Sequence, residues 1–316
     1  MHTVRGRQNI VAELGHGLRE PAVAIGNFDG VHLGHRALLD EARRLARASG
    51  GQAVALTFDP HPARFFAPSL APPMLAPLDR RIELLQAAGA DVVLVEPFTT
   101  EFASLAAEAF VEEVLARDIG ARHVVVGADF SFGRDRRGNT ALLASVGRGL
   151  SVALSIVPPV CANGLVCSST KIREFVLEGR VEGASLLLGR PFEIDGTVVR
   201  GAGRGRTLGV PTANLACEGE ILPRAGVYAG RARRLDGDSA WFAAAISIGG
   251  NPTFAGKGQP ELFVEAHLLD FSGDLYGARL RLAFLACLRE QRRYAKVDDL
   301  IAEIARDIAR TREICT

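Results

Sequence analysis

The chain lacks any run of the roughly 18 uninterrupted apolar residues needed to cross a bilayer, and Met1 to Glu20 carry charge throughout without an apolar leader segment. Neither a membrane span nor an exported protein is expected; the chain is expected to act in the cytoplasm. It also lacks paired cysteines. The five present (Cys161, Cys167, Cys217, Cys287, Cys315) are odd in number and show no CxxC spacing, which fits reduced thiols better than a disulfide frame or a zinc site. Charge of one sign is missing too: the formal net charge is +1, without the basic excess of a sequence-independent nucleic-acid binder. Basic residues cluster only locally, at Arg134, Arg136 and Arg137 and at Arg200, Arg204 and Arg206, runs that ordinarily belong to a solvated surface. No internal repeat or low-complexity segment is visible.

What is there suffices for two domains. The chain has 316 residues, 48% of them apolar, so each half can bury its own core. In the first half, short apolar runs (22–25, 53–57, 92–95, 123–126 and 152–157) alternate with helical stretches (35–48, 78–88, 105–117 and 141–146). Unbroken apolar strands separated by helices predict a parallel sheet covered on both faces, because neither side of such strands meets water. The texture changes after residue 184. From Phe192 onward, strands are broken by Gly, Pro and Asp turns, and Leu280, Leu282 and Phe284 alternate with Arg279, Arg281 and Ala283 as in a half-buried strand. Helical spacing returns only at 298–310, with Leu300, Ile301, Ile304 and Ile308 on one face. The fold class is therefore α/β, a three-layer domain over residues 1–184, followed at 185–316 by a closed antiparallel barrel with a terminal helix.

The segment Gly26-Asn-Phe-Asp-Gly-Val-His-Leu-Gly-His35 falls where the first apolar strand gives way to the first helix. Ligands of open α/β sheets bind at this carboxyl edge. His32 and His35, three apart, share one side of a helical turn. Gly34 between them leaves room for a phosphate, and the helix N-terminus supplies free N–H groups. Ser168-Ser169-Thr170-Lys171-Ile172-Arg173 also opens a helix, with Ser169 the natural N-cap and Thr170 and Arg173 three apart on one face, a hydroxyl and a guanidinium suited to one phosphate. No covalent nucleophile with an adjacent base stands out in this half, as direct displacement at phosphorus would allow.

In the second half, Gly201-Ala-Gly-Arg-Gly-Arg-Thr-Leu-Gly209 has dinucleotide-like glycine spacing, but Pro211 and a turn-rich strand follow it instead of a helix. A glycine- and arginine-rich flap over phosphates, using Gly203, Arg204 and Arg206, suits it better. Thr212 and Asn214 point to the same side of an extended segment and offer hard oxygen donors of the kind magnesium takes. Glu265, within the apolar strand Phe263–Leu268, either faces water or takes a proton from a substrate hydroxyl; alternation alone does not choose between these.

Taken together, these segments resemble the nucleotidylyltransferase superfamily and, more closely, the bacterial bifunctional riboflavin kinase/FAD synthetases. Further matches are Thr57-Phe58-Asp59-Pro60-His61-Pro62 and Val126-Gly-Ala-Asp129-Phe130-Ser-Phe-Gly133 in the first half. In the second they are Gly189-Arg-Pro-Phe, Gly226-Val-Tyr, Ile248-Gly-Gly-Asn-Pro-Thr-Phe254 and Asp274-Leu-Tyr-Gly277. The resemblance covers nearly the whole chain and implies that riboflavin is phosphorylated to FMN and FMN adenylylated to FAD, with ATP as co-substrate and Mg2+. It implies a first site in which Gly26, Phe28, Asp29, Gly30, Gly34, Ser168, Ser169 and Thr170 meet ATP, with His32, His35 and Arg173 acting on the transferred phosphoryl group. It further implies flavin contacts from Phe58, Pro60, His61, Pro62, Asp129 and Phe130. In the second site it implies Glu265 as the base and Thr212 and Asn214 as holders of Mg-ATP. Two departures are visible: Asp129 stands where some relatives have Asn, and Ser247 precedes Ile248 where many have Asn. The segment Leu288-Arg289-Glu290-Gln291 resembles a family segment near the flavin, without a role for Arg289. Small molecules are the expected partners, with no nucleic acid and no membrane; a homo-oligomer is left open.

Overall fold

The computed structural model describes residues 1–201, 209–217, 221–237, 240–250, 262–292 and 294–316. The chain forms two compact units, Met1–Cys167 and Ser168–Thr316.

The first unit is built on six parallel strands in the order β1-β4-β3-β2-β5-β8. These are β1 (His2–Arg5), β2 (Ala22–Ile25), β3 (Ala53–Asp59), β4 (Val92–Pro97), β5 (His123–Gly127) and β8 (Ala153–Val157); the short pair β6 (Ser131–Phe132) and β7 (Gly138–Asn139) and the hairpin β9 (Cys161–Ala162) with β10 (Leu165–Val166) are appended. The two faces of the sheet differ in side-chain size. Ala22, Ala24, Ala53 and Ala55 meet α2 (Leu33–Ser49) through Leu38, Leu39, Ala42 and Ala46, and α4 (Leu78–Ala87) covers the same face. Val23, Ile25, Val54, Leu56, Val92, Leu94 and Val124 face a helix at Phe110–Asp118 and α7 (Thr140–Gly149). Small residues on one side let α2 lie close to the strands, and branched ones fill the other, as close packing requires. From β2 the chain winds through β3 to β4 on one side, then crosses to β5 on the other, so the sheet reverses direction at β2/β5. The crevice at the carboxyl ends of these two strands is the expected ligand site.

Two details differ from the sequence reading. The stretch 105–117, expected to be α-helical, contains Ala107–Ala109 followed by a π-helix at Phe110–Asp118. Its buried Phe110, Val111, Val114 and Leu115 keep an i, i+3, i+4 pattern that does not separate the two helix types. The edge strand β1, His-Thr-Val-Arg, was not anticipated; it pairs with β4, and its mixed polarity reflects its place at the margin of the sheet.

The second unit is a closed six-stranded antiparallel barrel, β11-β12-β15-β14-β13-β16. Its strands are β11 (Phe192–Val199), β12 (Ala213–Ala216), β13 (Gly226–Arg234), β14 (Phe242–Gly250), β15 (Leu262–Leu268) and β16 (Arg279–Glu290). Closure leaves no edge strand unpaired. Gly230 on β13 is needed for a close approach: a Cβ there would lie 2.2 Å from the Ala283 carbonyl oxygen. The helices α8 (Ser169–Leu177) and α9 (Val181–Leu188) pack on one another, α9 also against β16.

Contrary to the half-buried alternation expected for β16, Arg281 is 1% exposed. Its guanidinium grips Asp195 of β11 with two hydrogen bonds of 2.7 and 2.6 Å. The terminal helix (Val297–Cys315) also departs from expectation. Ile301 is exposed, and the most buried positions are Glu303, Asp307 and Thr311. The carboxylates are satisfied by arginines: Arg289 of β16 holds Asp307 through Nε and Nη2 (3.1 and 2.8 Å) and lies 3.7 Å from Glu303, which also meets Arg292 at 2.5 Å and Arg306 at 3.0 Å. A polar helix face is stable against a barrel only with such partners. Asp307→Ala removes the nearer carboxylate from the half-buried Arg289 guanidinium and leaves it only Glu303, 3.7 Å away. It should cost about 3 kcal/mol of stability, read as a lowered urea midpoint at unchanged slope.

Candidate active sites

At the carboxyl end of β2 the chain must turn sharply into α2. Phe28 (φ 51°), Gly30 (φ 80°) and Val31 (φ 41°) all take left-handed backbone conformations, which are costly for Phe and Val unless the surroundings enforce them. The enforcing group is Asp29, 1% exposed, whose carboxylate accepts from Leu75 N (3.0 and 3.2 Å) and Ala76 N (3.1 Å). Phe28 is fully buried and meets His35 edge-on at 5.2 Å. His35 in turn stacks on His32 at 3.6 Å with 20° between the rings. Gly26, Phe28, Asp29 and Gly30 thus shape the loop, and the two imidazoles it presents sit together.

His32 is also the N-cap of α2: its Nδ1 accepts from the His35 backbone N–H at 3.3 Å. That bond fixes the tautomer, leaving Nε2 as the N–H that can donate. The missing side chain of Gly34 matters for the same geometry, because a Cβ there would lie 3.0 Å from His32 Cε1.

On the neighbouring strand, Phe58 is followed by Asp59, Pro60, His61 and Pro62, and His61 caps α3 (Pro62–Phe66) by accepting from Ala63 N at 3.1 Å. Phe58 belongs to a continuous row of phenylalanine rings. It touches Phe98 (5.8 Å) and Phe102 (5.7 Å); Phe98 meets Phe65 and Phe66; Phe102 leads through Phe110 and Phe132 to Phe130. Phe58 and Phe130, far apart in sequence, therefore share one aromatic wall, while Asp129 is exposed beside it. Phe65, Phe66, Phe98 and Phe102 were not singled out from the sequence; the cluster Pro97-Phe98-Thr-Thr-Glu-Phe102 after a strand was the available signal. Arg136 donates to Ser131 Oγ at 3.0 Å and, like Arg134 and Arg137, is exposed.

The segment Ser168–Arg173 lies in the second compact unit, at the start of α8. The N-cap is Ser168, not Ser169: Ser168 Oγ accepts from Lys171 N at 3.2 Å. Ser169 therefore sits inside the first turn, with Thr170 exposed and Arg173 half-buried.

On the barrel, pairing registers align a row of residues on one face: Val199 opposite Asn214, Asn214 opposite Glu265, Glu265 opposite Ser247, and Ser247 opposite Val227. Their chain neighbours Ala213, Leu215, Val264, Ala266, Ile246 and Ile248 are buried in the interior, so Asn214, Glu265 and Ser247 face outward and are half-buried. Thr212, half-buried, stands just before β12, two residues before Asn214. Gln291 Nε2 donates to Ser247 Oγ at 3.2 Å, adding an unanticipated neighbour to the row. The Asn214 side chain lies against the backbone of Gly201, where a Cβ would fall 2.2 Å from Nδ2. Gly203, Arg204, Arg206 and the 251–254 part of the Ile248–Phe254 motif are outside the described residues. Among those described, no group of three or more His, Cys, Asp or Glu could hold a metal ion. The hydroxyl of Thr212, the amide oxygen of Asn214 and the nearby Glu265 make instead a small set of oxygen donors, which fits a hard cation that brings its own water and phosphate ligands. No described helix is long and apolar enough to cross a membrane.

Residues 16–171 match the protein family described as FAD synthetase, and residues 188–315 the family described as riboflavin kinase. Fold and sites thus define a two-module ATP-dependent transferase. A bifunctional riboflavin kinase/FMN adenylyltransferase of Pseudomonas fluorescens is 40% identical over 314 residues, covering 99% of this chain and 98% of its own. One from Escherichia coli K12 is 36% identical over 313 residues, covering 99% and 97%. A crystal structure titled as a macrolide-efflux protein from Streptococcus pneumoniae superposes with a TM-score of 0.85 at 30% identity, covering 98% of each chain. The chain belongs to the family of bifunctional riboflavin kinase/FMN adenylyltransferases.

The loop geometry has a direct consequence for stability. Asp29→Ala would strand the N–H groups of Leu75 and Ala76 and remove a charge that attracts Arg81. It should destabilise the first unit by about 3–6 kcal/mol, the scale of two lost hydrogen bonds to a charged group, seen as earlier loss of its helical signal in urea.

Proposed function

We propose that the chain makes FAD from riboflavin in two ATP-dependent steps carried by separate residue sets, with the adenylyl-transfer module over 1–184 and the kinase module over 185–316. The observation that carries this reading is that each module holds its own donors: a stacked, capped histidine pair at a sheet switch point, and an outward Asn-Glu-Ser row on a closed barrel. The two family matches, ending at 171 and beginning at 188, support a functional boundary near Ser185.

In the kinase step Glu265 accepts the proton of the ribityl 5′-hydroxyl as that oxygen attacks the γ-phosphorus of ATP, forming FMN and ADP. Ser247 and Asn214 flank the carboxylate and orient it. Thr212 and Asn214 would hold Mg2+, which would supply positive charge to offset that of the phosphates; Gly203, Arg204 and Arg206 would add backbone N–H groups and guanidinium charge toward the same phosphates. In the adenylyl step an FMN phosphate oxygen attacks the α-phosphorus of ATP and pyrophosphate leaves. His32, through Nε2–H, and His35 donate to the charge that builds on the α-phosphate. Ser168, Ser169, Thr170 and Arg173 hold phosphate oxygens, and Gly34 keeps the approach open. Phe58, Pro60, His61, Pro62 and Phe130 bind the isoalloxazine along the aromatic wall, with Asp129 at its rim. The enzyme works in the cytoplasm on small molecules only. Burial pushes the Cys167, Cys287 and Cys315 thiols up, in keeping with inert reduced cysteines. Sizing in solution decides between a single copy and a homo-oligomer.

Crossed variants test the assignment. Glu265→Gln keeps the shape but cannot take a proton, so riboflavin phosphorylation should fall by about 10²-fold or more while FAD formation from supplied FMN persists. His35→Ala and Arg173→Ala should do the reverse, each losing about 2–4 kcal/mol of transition-state stabilisation in FAD formation. Product chromatography reads both steps; a Glu265→Gln chain phosphorylating riboflavin at full rate would make Glu265 a solvated strand residue. Chelation of divalent cations should abolish both products, and added Mg2+ should restore them; turnover undiminished in excess chelator would remove the metal from this scheme.

A further inference from the structure

Arg81, on α4, is absent from the chemistry above, yet it is 1% exposed. Its neighbour Arg80 pairs with Glu83 on its own helix in the ordinary way. Arg81 instead turns inward, and α4 supplies none of its polar partners. Nη1 donates to the Asn27 carbonyl (2.8 Å) and to Thr57 Oγ1 (3.3 Å), and Nη2 lies 4.0 Å from Asp59 Oδ1. Thr57 Oγ1 also donates to the Asn27 carbonyl (3.2 Å), closing a triangle. Burial lowers the pKa of this guanidinium, and the charges of Asp29 and Asp59 oppose that shift. Nε is buried with no hydrogen-bond partner.

A buried arginine is a poor way to gain stability, since a well-packed apolar side chain commonly does as well. Its placement has another content. Asn27 lies in the loop that presents His32 and His35, whereas Thr57 and Asp59 end the strand that leads into Pro60, His61 and Pro62. We propose that Arg81 is a positioning residue for adenylyl transfer, one buried guanidinium that ties the ATP-facing loop 26–32 to the flavin-facing loop 59–62 and sets their spacing. The proposal rests on assigning those loops to ATP and FMN as above. A fixed spacing matters because each loop must be held where its own substrate docks; a loop released from the shared anchor is no longer preorganised, and both ATP and FMN then bind less tightly.

The test uses the full-length chain carrying Arg81→Met, Arg81→Lys or Thr57→Val, with His35→Ala as reference. FAD formation is measured at varied ATP and varied FMN, riboflavin phosphorylation is measured on the same preparations, and thermal unfolding is followed. Arg81→Met should raise KM for both ATP and FMN by about tenfold, the scale of one lost hydrogen bond to a charged group. Arg81→Lys, which keeps the charge and a single donor nitrogen with three N–H groups, should recover most of that loss. Thr57→Val should raise both KM values by about threefold, the scale of one neutral hydrogen bond. Riboflavin phosphorylation should be unchanged in all three. A lowered unfolding temperature with both KM values intact would make Arg81 a structural residue only and overturn the proposal, as would a rise in one KM alone. Should Arg81→Met fail to fold, Arg81→Lys and Thr57→Val decide, and unchanged constants in both would overturn it. If His35→Ala itself forms FAD normally, the adenylyl assignment falls. If His35→Ala is impaired while the Arg81 and Thr57 variants are not, only the tie between the loops falls.

Discussion

A single buried carboxylate holds the first unit's functional loop in place. Asp29 receives the backbone N–H groups of Leu75 and Ala76, and this anchors a turn in which Phe28 and Val31 take conformations they would not choose alone. From that turn the remaining geometry follows: Phe28 meets His35 edge-on, His35 stacks on His32, and His32 caps the helix whose first turn carries both. Charge burial is therefore concentrated behind the site, where a fixed arrangement of dipoles contributes most to phosphoryl chemistry.

The second unit uses charge differently. The Arg289–Asp307 pair and its neighbour Glu303 dock the terminal helix on the barrel, and the Arg281–Asp195 clamp braces β16 against β11. Arg289 stands opposite Val227 in the pairing of β13 with β16, so the docking pair borders the end of the row that carries Glu265. Arg289, conspicuous in the sequence for its place in a family-like segment, is committed to the helix. Across the strands the row sets two neutral residues, Asn214 and Ser247, on either side of Glu265.

Much of the fold was legible because burial on both faces writes unbroken apolar runs: Ala-Val-Ala-Ile, Val-Val-Leu-Val and His-Val-Val-Val give the parallel strands at once, and Gly- and Pro-punctuated alternation gives the barrel. Where burial was partial or achieved by charge, the signal failed. His-Thr-Val-Arg at the sheet margin has no apolar run to show. The buried side of the terminal helix is Glu303, Asp307 and Thr311, and Arg289, which meets the two carboxylates, can be found only in three dimensions. Within the candidate sites, the histidine spacing and the Thr-x-Asn pair were readable locally, and Glu265 was noticed but not resolved between two roles. Arg81 was not readable at all, since Arg-Arg-Ile-Glu-Leu-Leu looks like any amphipathic helix with a solvated face. Likewise Ser168 and Ser169 are equivalent as caps on chemistry alone, and only backbone geometry chose between them.

Closure of the barrel carries a consequence for how this protein can change over generations. Side chains of β15 alternate between interior and exterior, so Glu265 stands between Val264 and Ala266, both buried. Insertion or deletion of one residue within that strand would exchange faces, moving a carboxylate into an apolar core and a valine or alanine to the outer face. An open sheet can absorb such an error by sliding an outer strand; in a ring each strand is held by a neighbour on both sides, and a surplus residue has to be taken up in a local bulge, as where β13 and β16 shift register. Length variation among descendants of this chain should therefore accumulate in the connections between barrel strands, while β12, β14 and β15 keep an invariant residue count even as their interior side chains drift.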